Sequence, residues 1–145
     1  MNNTADSSRV ETIEEVQTFL ARMKYAIDNG AKITVQEERQ VDNNRDLKYT
    51  NKYTLADLFS DENPTDAIKR ELKSLTVKDY IRTLKDLRFP NRSELREFGK
   101  EYNNKDVYIK VRVEIIPATG QSPVFVMSFH YAMRPFGTET FPYRN

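Results

Sequence analysis

Apolar residues fall at Ile13, Val16, Leu20, Met23 and Ile27, the spacing of one face of a helix. Thr12-Ile13-Glu14-Glu15 has the form of a capping box, in which a hydroxyl and a carboxylate three residues apart satisfy free N–H groups of the first turn. Asn29-Gly30 supplies a left-handed stop. Lys32 to Gln36 then alternates like a short strand. Glu37 to Asn51 loses apolar periodicity and reads as a loop, with Arg39, Arg45, Lys48, Tyr49 and nearby Lys52 as basic and aromatic residues able to reach a ligand. A short helix is predicted over Thr54–Phe59. A second begins at Asn63-Pro64, with proline at the first helical position. Thr76 caps a third helical element through Tyr80, Ile81 and Leu84, carrying Arg82 and Lys85, which Phe89-Pro90-Asn91 breaks.

From Glu94 onward the period changes to two. Leu95–Tyr102, Val107–Ile116 and Val124–Tyr131 read as strands, joined by turns at Asn103–Asp106 and Pro117–Ser122. Three consecutive strands with short connections make an antiparallel meander. Helices first and strands last predict an α+β fold, with N-terminal helices packed on one face of a twisted, mainly antiparallel sheet. The 145 residues fit a single domain, 11–145, preceded by a disordered tail over 1–10 that lacks the basic and apolar regions of a signal peptide.

Alternation sorts the middle strand into Val107, Ile109, Val111, Val113 and Ile115 on one face and Tyr108, Lys110, Arg112 and Glu114 on the other. In the last strand Phe125, Met127 and Phe129 form a bulky set opposite Val124, Val126, Ser128 and His130. Placing both apolar sets on the helix side puts His130, the only histidine, beside Tyr108 or Lys110, with Cβ atoms roughly 5–8 Å apart.

Charge supports that neighbourhood. The chain carries a net charge of only +1, yet residues 78–112 hold ten Lys/Arg against six Asp/Glu, whereas residues 1–77 are net −3. The absence of cysteine excludes disulfides and thiolate metal sites and suits a cytoplasmic protein. One histidine and no cysteine leave too few ligands for a transition-metal site. Four scattered glycines form no phosphate loop, which disfavours a nucleotide cofactor. No stretch approaches the ~20 apolar residues of a membrane span.

An imidazole, a phenol and cations on one face suit cofactor-free RNA cleavage. A base takes the 2′-hydroxyl proton, the oxygen attacks phosphorus, and an acid protonates the departing 5′-oxygen. Histidine serves either role near neutrality. Tyr108 is a second proton carrier, and Lys110, Arg82 and Arg112 can neutralise charge on the phosphate. Glu97 and Glu101 are alternative bases. Lys78, Lys85 and Arg96 extend the basic stretch along which RNA could lie. A non-catalytic RNA- or protein-binding module is the competing reading, in which alternating polar side chains are a solvated or docking face.

The segments Ser74-Leu75-Thr76-Val77-Lys78-Asp79-Tyr80, Phe98-Gly99-Lys100-Glu101, Val107-Tyr108-Ile109-Lys110-Val111 and Ser128-Phe129-His130 resemble the MqsR-type toxins, the ribonucleases of bacterial toxin–antitoxin pairs. Phe141-Pro142-Tyr143 is similar to the tail of small Gram-positive members. The resemblance covers about half the chain and implies a RelE-like fold. It also implies cleavage of single-stranded mRNA without a cofactor and a cognate antitoxin as partner. By motif it assigns functional roles to Arg82, Tyr108, Lys110 and His130. A glutamine that some members use ahead of the Phe-Gly pair has no counterpart, since Leu95 and Arg96 occupy that neighbourhood.

Overall fold

A computed structural model describes residues 6–36, 47–114 and 121–144. Among these, three α-helices and a six-stranded mixed sheet form an α+β fold. In chain order the elements are β1 (Asp6–Arg9), α1 (Ile13–Asp28), β2 (Ile33–Val35), α2 (Asn51–Leu58), α3 (Pro64–Lys73), β3 (Tyr80–Asp86), β4 (Leu95–Tyr102), β5 (Lys105–Val113) and β6 (Val124–Tyr131). Single 3-10 turns precede α2 at Leu47–Tyr49 and β3 at Val77–Asp79. The sheet order is β1-β3-β4-β5-β6-β2. Every neighbouring pair is antiparallel except β2 with β6, which is parallel and closes one edge.

The capping box at Thr12 is present, with Glu15 Oε1 accepting from the Thr12 N–H at 2.9 Å. Val16, Phe19, Met23, Ala26 and Ile27 of α1 are buried, and Gly30 takes the left-handed conformation at φ 81°. Ile13, at the helix start, is exposed. Ala67, Ile68 and Leu72 of α3 meet the same core. The sheet contributes Tyr80, Phe98, Val107, Ile109, Val111 and Val113, then Val124, Val126, Phe129 and Tyr131. The alternation of β5 is obeyed throughout: its odd residues are buried from Val107 to Val113. Asn103 and Asn104 have φ of 53° and 66°. Two successive left-handed residues make the tight turn that suits strand twist, so Lys105 already belongs to β5.

Four expectations require correction. Asp6–Arg9, within the tail expected to be disordered over 1–10, pairs with β3 as an edge strand, and residues 1–5 lie outside the described residues. The segment carrying Arg82 and Lys85 is not a helix. Thr76 caps one 3-10 turn only, and Tyr80–Asp86 then pairs with β1 and β4. The capping signal was real, but β-branched Ile81 and Thr83 favour the strand that two partners stabilise.

Third, the parity of β6 changes along its length. Lys110 pairs with Ser128 but Val111 pairs with Val126, so Met127 is the extra residue of a β-bulge. Phe129 faces the helices as expected, whereas Val124 and Val126 replace Phe125 and Met127 on that side. Fourth, α2 starts at Asn51 rather than Thr54, and Leu47–Tyr49 is helical rather than loop. Residues 37–46, with Arg39 and Arg45, and residues 115–120, with Ile115, lie outside the described residues.

Because β2 ends at Val35, beside Val126, the rest of β6 has no strand on that edge, and α2 supplies the partners. Asn51 Nδ2 donates to the carbonyls of Gln36 (2.8 Å) and Met127 (3.0 Å), and its Oδ1 accepts from Phe129 N–H (2.9 Å). Thr54 Oγ1 accepts from Tyr131 N–H at 2.9 Å. Both side chains are buried, so one helix face substitutes for a missing strand.

Candidate functional site

Register places the second sheet face residue by residue. One row runs across four strands: Arg82 opposite Glu97, Glu97 opposite Lys110, Lys110 opposite Ser128. The adjacent row contains Gly99, Tyr108 and His130. The Tyr108 and His130 rings lie 5.5 Å apart between centroids, tilted by 44°. Tyr108, Lys110, Arg82 and His130 therefore share one continuous patch, with Ser128 a further member.

His130 is 7% exposed, and its Nδ1 lies 3.0 Å from the Tyr131 carbonyl oxygen. A carbonyl only accepts, so Nδ1 carries the proton and Nε2 is the basic nitrogen of the neutral ring. Glu97 is 2% exposed, and its Oε1 accepts from Arg82 Nε at 2.5 Å. A buried carboxylate beside a half-exposed guanidinium fixes the Arg82 head over the sheet. It also makes Glu97 an ion-pair partner first and a base second.

Arg112 belongs to the same face, opposite Phe125, with its guanidinium 5.0 Å from that ring. Its Nε is buried without a hydrogen-bond partner among the described residues, 3.9 Å from Glu114 Oε1. Burial pulls its pKa down despite the Glu114 charge. Arg112 thus packs along the sheet, and only 11% of its side chain meets solvent. Glu101 sits one row beyond Gly99, exposed, opposite Asp106.

Two residues expected to contact RNA lie elsewhere. Arg96 faces the helices: Nε and Nη2 donate to the two oxygens of Glu11 at 2.9 and 3.2 Å, and the guanidinium lies 4.5 Å from the Phe19 ring. Burial opposes ionisation of Glu11, but hydrogen bonds from Arg96 and Thr83 outweigh it and hold its pKa below the ordinary value. Lys85, in step with Thr83, is exposed on that opposite side. Lys78 is exposed on the 3-10 turn before β3, and its carbonyl accepts from Arg144 Nε at 3.2 Å.

The sequence reading missed a cover on this face. After β6 the chain turns back, with Phe136 N–H donating to Asp106 Oδ2 at 2.9 Å. Phe136 and Phe141 pack edge to face, 5.4 Å apart, over Gly99. Tyr143 stacks on Tyr80 at 6.2 Å, and its hydroxyl donates to the Glu11 carbonyl. Arg144 lies 3.6 Å from the Phe141 ring. The C-terminal segment is therefore a strap beside the Tyr108–His130 row. A glycine in mid-strand was its available signal, because such a residue marks a close approach.

A cavity of about 480 Å³ opens where the β4–β5 turn meets the end of β6. Its walls include Lys48, Tyr49, Tyr53, Glu101, Lys105 and Tyr131. No protein-family model, curated protein or solved structure matches the chain. No helix among the described residues is long and apolar enough to cross a membrane.

Proposed function

We propose that the protein is an mRNA endoribonuclease of the MqsR type, on a RelE-like variant of this α+β fold, held in check by a cognate antitoxin. The observation that carries the reading is the convergence of His130, Tyr108, Lys110 and Arg82 on one sheet face. Tyr108 and His130 are direct cross-strand partners. Three of these residues also stand in the motifs that resemble that family. A scissile phosphate over the Lys110 row meets two cations, and the neighbouring row supplies two proton carriers.

In this reading His130 Nε2 takes the 2′-hydroxyl proton as the 2′-oxygen attacks phosphorus. The 2′-O–P bond forms and the P–O5′ bond breaks. Tyr108 gives its proton to the leaving 5′-oxygen, so the products are a 2′,3′-cyclic phosphate and a 5′-hydroxyl. Lys110 and Arg82 stabilise the charge that develops on the non-bridging oxygens, an effect worth ~3 kcal/mol per well-placed donor. His130 and Tyr108 exchange roles if RNA binds in the opposite polarity.

The test is cleavage of a defined single-stranded RNA by the full chain in excess EDTA, with end-group analysis. Cyclic phosphate and 5′-hydroxyl ends, lost in His130→Ala and in Tyr108→Phe, support the proposal. RNA binding without cleavage favours the non-catalytic module, whose specific support is the deep burial of His130.

A further inference from the structure

His130 is 7% exposed, although the reaction assigned to it needs RNA at its Nε2. The helices bury their apolar residues on the other face of the sheet. The segment that crosses the His130 face beside the row is the C-terminal strap. Gly99 is the direct partner of Tyr108, and Tyr108 is the direct partner of His130. Phe136 and Phe141 approach Gly99 so closely that a Cβ there would meet both rings. The two rings therefore occupy the surface next to the phenol, where an RNA strand running over that row would lie. We propose that the strap is an autoinhibitory cover, which RNA must displace to reach Tyr108 and His130. The inference rests on the ribonuclease reading for what the cover holds off.

The strap is held in a way that lets it lift. Residues 132–144 include no helix or strand, and Met133, Arg134, Pro135, Gly137, Thr138 and Glu139 are exposed. Its polar anchors lie at two ends. At the near end Asp106 Oδ2 accepts from Phe136 N–H at 2.9 Å. At the far end the Tyr143 hydroxyl donates to the Glu11 carbonyl, and Arg144 Nε donates to that of Lys78 at 3.2 Å. Arg144 Nη2 also lies 3.5 Å from Asp79 Oδ1. A cavity of about 270 Å³ lies between Asp106 and the strap residues Phe136, Gly137, Thr138, Phe141 and Arg144. The middle of the strap is thus not close-packed on the sheet. A segment with few buried apolar side chains and no ladder of its own opens more readily than the strands beneath it.

Opening need not disturb the histidine. The Asp106 carbonyl accepts from Ala132 N–H at 2.8 Å, which ties the Tyr131–Ala132 peptide to β5. The carbonyl of that same peptide accepts from His130 Nδ1. The chain can therefore swing away beyond Ala132 while the tautomer of His130 stays fixed. A site that is competent only when uncovered binds its substrate more weakly, in proportion to the open fraction. Anything that raises the open fraction raises kcat/KM by the same factor, until the open form predominates.

The single histidine gives the experiment its probe. Diethyl pyrocarbonate acylates an accessible neutral imidazole, so its rate with the full chain reports how often His130 is uncovered. Tyr143→Ala acts at the far end, where the ring stacks on Tyr80 rather than on the row. It should accelerate both His130 modification and kcat/KM for a defined RNA about tenfold, the two factors agreeing because both read the open fraction. Phe136→Ala should do the same from the near end. Arg144→Ala removes exposed contacts, and a smaller, matched acceleration in it keeps the question decidable if Tyr143→Ala folds poorly. Wild-type modification as fast as that of free N-acetylhistidine, or no acceleration in any variant, would overturn the cover. Faster modification with kcat/KM unchanged would overturn the autoinhibition. Faster modification in chains that cleave no RNA would remove the nuclease reading and leave the cover standing.

Discussion

Gly99→Ala should loosen the C-terminal strap, and the cost can be worked from the packing. A Cβ at position 99 would lie 2.6 Å from Phe136 Cε2 and 2.8 Å from Phe141 Cζ. Both distances are well inside van der Waals contact, so the rings must move. Phe141 is 7% exposed and has little room to retreat, whereas Phe136 is half-buried and can swing outward. Overpacking of this kind costs ~1–3 kcal/mol. Alanine restricts the unfolded chain relative to glycine, which offsets ~0.4–1 kcal/mol. The net expectation is a loss of about 1–2 kcal/mol, or roughly 3–7 °C in Tm for a domain of this size. The chain has no tryptophan, so urea unfolding followed by far-UV circular dichroism is the suitable assay. Phe136→Ala removes the nearest ring and gives Phe141 room to shift, so in that background Gly99→Ala should cost about 1 kcal/mol less. A double-mutant cycle therefore returns a coupling of about 1 kcal/mol. A neutral Gly99→Ala, or an equal cost in both backgrounds, would refute the packing of the strap on this strand.

Glu11→Gln should destabilise the fold by ~2 kcal/mol at pH 7, since it removes the charge from hydrogen bonds to Arg96 and Thr83. The folded pKa of Glu11 lies below the ordinary 4.5. Its contribution is thus present above that value and lost as pH falls through the folded pKa, so wild-type and variant urea midpoints should converge in acid. Asn51→Ala should cost about 3 kcal/mol, because the side chain satisfies two carbonyls and one N–H at the β6 edge; hydrogen exchange at Phe129 N–H should accelerate more than at Ile109 N–H. Arg82→Ala should lower both stability and RNA cleavage, since it strands the buried Glu97 carboxylate. Adding Glu97→Gln should restore stability but not cleavage, a split read by melting and turnover together.

The helical N-terminal half was legible where caps and apolar periodicity agreed, as in α1 with Thr12 and α3 with Asn63-Pro64. It failed at Tyr80–Asp86, where a cap with Tyr80, Ile81 and Leu84 behind it fits three residues of 3-10 turn as well as a full helix. Only the presence of β1 and β4 on either side decides between them, and that pairing is non-local. The Tyr108–His130 pairing was readable because β5 alternates without a break. It survived an error in β6, since the bulge at Met127 lies before Ser128 and flips only the residues upstream. The roles of Arg96, Asn51 and the strap were not legible. Each joins groups far apart in the chain, such as Glu11 with Arg96 or Gly99 with Phe136 and Phe141. No local pattern records such contacts, although Gly99 in a strand was a pointer to the last of them.

The pH dependence of cleavage of one defined RNA, wild type against His130→Ala, bears most directly on the proposed site. The wild-type rate should rise with pH as the imidazole loses its proton. His130→Ala should lose that limb and fall by at least about a hundredfold, the usual scale for one general base. An unchanged rate and profile in His130→Ala would make His130 a packing residue and contradict the assignment of the sheet face as an active site.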